Sequence, residues 1–351
     1  MSVDLPAGVR NSTYAQDMAI FRTRTHWLWL VLLLAILAAT PLFLSNYWLG
    51  VANLALITVV AATGLNILTG YCGQLSIGHA GFMAVGAYTS AILTGEAGLP
   101  FPVALLAAGI TAGLVGVLFG MPSLRVKGFY LAISTLAAQF IILWAISHWT
   151  DVTGGSFGMA VPPASIAGIT LRSQGDKFYL ILAVAVIAIY LAKNLARTRT
   201  GRAFVAIRDN DLAAQVMGIN LFRYKLLAFF IGCFFAGIAG SLYAHWIGFI
   251  SHESFTFSDS ILYVGMIIIG GLGTSIGPIF GAVFIALLKV MQSQLAPSLI
   301  STFDLSSSVA VGIGPILYGL AIILFLIFEP RGLAHRWQLF KSSYRLWPFS
   351  Y

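Results

Sequence analysis

Hydrophobic and polar positions along this chain come in long blocks. No Asp, Glu, Lys or Arg occurs between Arg24 and Glu96, Glu96 and Arg125, Lys127 and Asp151, Lys225 and Glu253, or Asp304 and Glu329. Blocks of that length read as lipid-facing or bundle-facing helices, since about 20 apolar residues span the hydrocarbon layer. Apolar segments run from Trp27 to Leu44, Trp48 to Thr69, Ala80 to Thr94, Phe101 to Gly120 and Phe129 to His148. Others run from Phe178 to Lys193, Leu226 to Ile250, Ile261 to Ile269, Pro278 to Val290 and Val311 to Phe328. Several are short or broken by glycine, the mark of tilted or interrupted helices that line a pathway. The pattern predicts an all-α, polytopic bundle of transmembrane helices.

Positive charge sets the expected orientation. Arg10, Arg22 and Arg24 precede the first segment, Arg125 and Lys127 form a second basic group, and Lys193, Arg197, Arg199, Arg202, Arg208, Arg223 and Lys225 a third. The tail adds Arg331, Arg336, Lys341 and Arg345. Basic flanks stay cytoplasmic, so residues 1–26 and 331–351 are expected as cytoplasmic tails around a membrane domain at 27–330, with a cytoplasmic loop at 194–225. A cleaved signal peptide with small residues at Ala38 and Ala39 is disfavoured by the long charged leader and the many later spans. Two cytoplasmic termini require an even number of crossings. About ten spans are therefore predicted, with eight plus a re-entrant hairpin over Ile261 to Val290 as the alternative. Ten is favoured because the turn from Gly270 to Pro278 can reverse the chain inside a protein-lined region.

Composition agrees. Of 351 residues, 59% are hydrophobic and 9% charged, against about 25% charged in a soluble domain. The 36 glycines suggest close helix packing; Gly109, Gly113, Gly116 and Gly120 form two GxxxG pairs, and Ala236, Gly237 and Gly240 prepare another contact. Cys72 and Cys233 lie in apolar stretches without metal-ligand spacing and read as reduced structural thiols. The net charge of +8 is spent at span ends, so it is a topology signal and predicts no nucleic-acid partner.

Chemistry is sparse. There is no GxxxxGK[ST] and no Gly-Lys dipeptide, which excludes a P-loop ATPase. HExxH and CxxC are absent, and His26, His79, His148, His245, His252 and His335 are scattered, mostly at span ends. No metal site, catalytic residue or cofactor is expected. The predicted spans hold almost no buried charge, which argues against an ion-driven carrier. Lys289, placed near the end of its segment, reads as a snorkelling side chain. Gln74, Ser76 and His79 lie in a Gly-rich break between two spans and are candidate pathway residues; their other reading is that they satisfy helix-end backbone groups. Gly70, Gly73 and Gly78 serve the chain reversal. The string from Gly73 to Gly78 is echoed faintly by the one from Gly273 to Gly277, as a duplicated half would produce.

The connection from Arg197 to Lys225 holds the most informative signal. Asp209-Asn210-Asp211 offers an N-cap and an acidic first turn, Leu212 to Met217 a short helix, and Gly218 a C-cap. A helix this short must lie against something. It either rests on its own bundle and lipid headgroups or docks in a groove of a cytoplasmic partner.

Ala213-Ala214-Gln215-Val216-Met217-Gly218 is similar to the AA-x-x-x-G core of the EAA loop through which ABC importer permeases contact their ATPases. Arg199 to Ala203, Ile207 to Asn210, Gly64 to Tyr71, Gly73 to Phe82 and Glu329 to Leu333 resemble the LivM-type permeases of branched-chain amino-acid importers, over a stretch from about Trp48 to Leu333. Leu212 stands where the EAA pattern has Glu, and the downstream I-x-L-P is missing. The resemblance implies a non-catalytic subunit in a bacterial inner membrane, partnered by a second homologous permease, two cytoplasmic ATPases and a periplasmic binding protein. It implies ATPase coupling through Asp211, Leu212, Ala213, Ala214, Val216, Met217 and Gly218, and leucine, isoleucine or valine as solute. A permease for urea or short amides is the near rival, and a self-sufficient secondary carrier the distant one.

Overall fold

Each of the ten apolar segments falls on a helix of its own. The computed structural model describes residues 24–123, 128–166, 168–303 and 307–346. The predicted tail before Arg24, the basic pair Arg125 and Lys127, and residues 347–351 lie outside the described residues.

By their contacts the residues divide into two units, Met1–Leu49 and Gly50–Tyr351. The first holds α1 (Arg24–Phe43) and the start of α2 (Asn46–Leu65). In the second, α2 continues into a π-helical segment, Asn66–Tyr71. Then follow α3 (His79–Gly95), α4 (Phe101–Ser123), α5 (Phe129–His148) and α6 (Gln174–Arg197). Two shorter helices, α7 (Arg199–Asp209) and α8 (Asp211–Val216), lead into the long α9 (Leu221–Ile247). The chain closes with α10 (Phe257–Gly270), α11 (Gly277–Phe303), α12 (Ser307–Phe328) and α13 (Leu333–Leu346). Two-residue strands β1 (Met159–Ala160) and β4 (Phe249–Ile250) pair antiparallel, as do β2 (Ser165–Ile166) and β3 (Ile169–Thr170).

Local chemistry explains the helix starts. Ser173 and Asp176 form a capping box on α6, Thr256 and Asp259 one on α10, and the Asn220 side chain accepts from the Arg223 amide at 3.0 Å to begin α9. Each satisfies amides that the first turn of a helix leaves without intrahelical partners.

Among the described residues, six helices are long and apolar enough to cross a membrane, or seven if the bent pair Gly314–Phe328 and Leu333–Ser343 counts as one span. The protein is an all-α, multi-pass membrane protein. With 17 and 14 residues, α3 and α10 reach only about 25 and 21 Å, short of a hydrocarbon core of about 30 Å. Irregular chain at 72–78 and 251–256 precedes them. The largest departure from the predicted segments is α11. The polar run Gln292 to Gln294 ends the apolar pattern but not the helix, which continues to Phe303 and leaves Lys289 near its middle.

The core is the mutual packing of α3, α4 and α9, and glycine makes it possible. Gly109, Gly113, Gly116 and Gly120 all face α9, where an added Cβ would meet Phe234, Phe230, Cys233 and Phe229 respectively. On α9 itself, a Cβ at Gly237 would lie 2.3 Å from the Ala108 carbonyl oxygen, and one at Gly240 2.0 Å from that of Met83. Cys72 and Cys233 are buried and free. Gly237→Ala is expected to destabilise the purified protein by about 1–3 kcal/mol through overpacking. Gly319→Ala on α12, where an added Cβ meets nothing within 4 Å, should be near neutral. Thermal unfolding of the two variants in detergent checks the contrast.

Candidate functional site

The Gly-rich break after α2 is where the chain stops being helical and becomes a meeting point. Asn66 holds it to the turn between α10 and α11: its Nδ2 donates to the Thr274 carbonyl at 2.9 Å and its Oδ1 accepts from the Gly273 amide at 2.9 Å. The Tyr71 hydroxyl and Ser275 Oγ lie 3.2 Å apart. The π-helical segment that leads into the first of the two echoing strings therefore touches the second. Gly73 needs its glycine, with φ at +72° and Arg208 packed where a Cβ would go.

Of the pathway residues named from sequence, Gln74 lines the cavity beside this break. It lines one of about 370 Å³ together with Cys72, Gly73, Arg208, Asp211 and Lys225, and its side chain donates to the Cys72 carbonyl at 3.4 Å. Ser76 and His79 are fully buried and line neither this cavity nor the second one described below. His79 Nε2 lies 2.9 Å from the Ala61 carbonyl, while its Nδ1 and the Ser76 hydroxyl have no partner. The neighbouring backbone is held by side chains: the Ile77 amide donates to Thr135 Oγ1 at 3.0 Å, and the Ala80 amide to Ser260 Oγ at 2.9 Å. Ser260 in turn donates to Gln139 Oε1 at 2.7 Å.

The loop helix forms as the sequence indicates. Asn210 caps α8 by accepting from the Ala213 amide at 3.0 Å. Gly218 ends it at φ +83°, and the Ile219 amide returns to the Ala214 carbonyl at 3.0 Å, a C-cap of the kind glycine permits. Ala214 faces inward at 4% exposure, whereas Leu212, Val216 and Met217 are 66%, 88% and 82% exposed. Ala213 is exposed beside them. One helix turn thus offers an apolar knob on its outer side.

Sequence reasoning missed the link from this helix to the break. Arg208, at the end of α7, donates through Nη1 to the Gly70 carbonyl at 3.0 Å and through Nε and Nη2 to Asp209 Oδ1. Lys225, buried on α9, stands 3.8 Å from Asp211 Oδ2. In sequence both cations are topology signals, and their spacing carries no hint that either turns inward.

A second cavity, about 280 Å³, lies between α2, α3, α9, α10 and α11. Asp259, Lys289, Tyr243 and Tyr263 are among its lining. Lys289, five residues before the end of the apolar span Gly277–Gln294, thus lines a cavity wall. It also weakens the argument against an ion-driven carrier from missing internal charge.

Two stretches, Gly154 to Gly158 and Gly273 to Gly277, match GxSxG, the string of a hydrolase nucleophile elbow. That elbow is a strand-to-helix turn. Here the first is a 3₁₀ turn after a single helical turn, and the second joins two helices with Ser275 against Tyr71.

A family model described as the permease component of the branched-chain amino acid transport system matches residues 47–327. The chain belongs to this family. It is 34% identical over 330 residues to the high-affinity branched-chain amino acid transport system permease protein LivM of Escherichia coli, covering 87% of this chain and 74% of that one. A probable LivM of Methanocaldococcus jannaschii is 25% identical over 66% of this chain and 67% of its own length. The autoinducer 2 import system permease LsrC of Salmonella typhimurium is 31% identical over 58% of this chain and 60% of its own. The match takes in both Gly-rich turns, α8 and both cavities, so the features described above are features of a transport permease.

The buried pair has a measurable weight. Asp211→Ala is expected to destabilise the protein by about 3 kcal/mol, because Lys225 is left buried without its carboxylate. Asp211→Ala combined with Lys225→Met should recover part of that loss. Unfolding midpoints for the two variants form a double-mutant comparison.

Proposed function

We propose that this chain is one of two permease subunits of an ATP-driven importer for branched-chain amino acids, with α8 as the element that couples it to a cytoplasmic ATPase. The observation that carries the reading is the exposed apolar face of Leu212, Val216 and Met217 on a helix anchored inward by Ala214 and by the Asp211 to Lys225 pair. A helix of six residues is not stable alone, and an apolar knob on a rigid stem suits insertion into a partner groove. Motion of α8 would reach the pathway through Arg208 and its bond to the Gly70 carbonyl.

The partners that follow are a second homologous permease, two ATPase subunits and a periplasmic binding protein that delivers the solute. In this reading the ten apolar helices are ten crossings, α3 and α10 being completed by the irregular chain before them. The basic loop and both termini face the cytoplasm, as Arg and Lys placement requires, in a bacterial inner membrane. ATP binding closes the ATPase pair, α8 follows, and the permeases pass between outward and inward openings.

With the whole importer in proteoliposomes, Leu212, Val216 and Met217 changed together to Ser should lower ATP-driven leucine uptake at least tenfold while the purified permease keeps its unfolding midpoint. Gly218→Leu should lower uptake likewise, because an added Cβ there meets open space within the chain and the side chain projects toward the partner; its unfolding midpoint should fall modestly, by the about 1–2 kcal/mol that the left-handed backbone costs. Normal coupled uptake in both variants would remove α8 from the coupling path. This chain reconstituted alone should give no accumulation of leucine, driven by ATP or by a gradient.

A further inference from the structure

The second cavity has the chemistry of an amino-acid zwitterion. Two opposite charges line it, Asp259 from the first turn of α10 and Lys289 from the middle of α11, and no ion pair joins them. Lys289 lies twelve residues past Gly277, about 18 Å along the helix axis, and five residues before Gln294, where the apolar span ends. It has no hydrogen bond or ion pair among the described residues. Asp259 uses one oxygen, Oδ2, to accept from the Thr256 amide at 3.0 Å and from Thr256 Oγ1 at 2.6 Å. Its Oδ1 takes part in no hydrogen bond among the described residues. The hydroxyls of Tyr243 and Tyr263, on the same lining, are likewise unbonded there.

An ionisable group within an apolar span, as Lys289 is, is costly to keep and marks a solute or ion pathway. Two that face one cavity without neutralising each other leave a positive and a negative contact to be filled. The rest of the wall is mainly apolar, with Leu54, Met83, Ile247 and Phe255. A volume of about 280 Å³ approaches the small end of small-molecule sites, about 300 Å³. A few polar groups set in apolar walls are the usual composition of such sites.

We propose that this cavity is a solute subsite on the translocation pathway that takes an α-amino acid as its zwitterion. Lys289 receives the α-carboxylate, Asp259 Oδ1 receives the α-ammonium group, and the apolar wall receives an aliphatic side chain. The inference rests on the reading of the chain as an amino-acid importer subunit. It adds that the permease itself, and not only a binding protein, senses both charges of the solute. An uncharged solute such as urea would gain nothing from the pair.

The test places a reporter cysteine at Thr58, another wall residue, in the complete importer with its partner subunits. Alkylation of that position by N-ethylmaleimide is followed by peptide mass spectrometry, alongside leucine uptake by the same preparation. Leucine should slow alkylation, whereas 3-methylbutylamine and 4-methylpentanoate, which each lack one charge, should need at least tenfold higher concentration for equal protection. Adding Lys289→Met should abolish the preference for leucine over the amine, and adding Asp259→Asn the preference over the acid. Uptake of leucine with no protection, or with equal protection by all three compounds, overturns the subsite and leaves the importer reading standing. Absence of leucine uptake by the unsubstituted importer overturns both.

Discussion

Backbone groups that leave a helix inside a bilayer must find partners within the protein, because lipid offers none. That constraint organises this fold. The helix α2 dissolves through a π-helical segment into an irregular stretch, and two short helices begin only after irregular chain. At those places side chains take over the work of the helix ladder. Asn66 serves both a donor and an acceptor of the facing turn, Thr135 takes the Ile77 amide, and Ser260 takes the Ala80 amide. The polar residues are few, and they stand where the backbone would otherwise be unsatisfied.

The same constraint explains why a membrane protein can afford cavities. Irregular chain in the interior is tolerated where it is enclosed by protein or lines a water-filled space. Here the break after α2 opens onto the cavity at the α7 and α8 end, and the start of α10 onto the second cavity. Beside these cavities the packing is tight, because glycines let α3, α4 and α9 approach until backbone meets backbone.

The short helix α8 is tied to the same break. Its outer face is apolar and exposed, and its inner side is tied to α9 through Asp211 and Lys225. The residue before Asp209 ends on the carbonyl of Gly70, where α2 has already lost its regular hydrogen bonding.

Much of this was determined by sequence alone. The blocks of apolar residues specify the helices because a bilayer demands about twenty such residues per crossing; the GxxxG spacing specifies the face of α4 that meets α9; and the cap chemistry around Asn210 and Gly218 specifies a short helix. These are local properties, carried by neighbours in the chain. Only the tertiary structure decided that Gln74 lines a cavity while Ser76 and His79 do not, that Arg208 and Lys225 turn inward, and that Lys289 shares a cavity with Asp259. Those positions are separated by tens to more than a hundred residues, and which of them meet depends on how whole helices pack. A polar stretch such as Gln292 to Gln294 looks like a helix end to any local rule, yet the helix runs through it to Phe303 because backbone hydrogen bonds are made whatever the side chains.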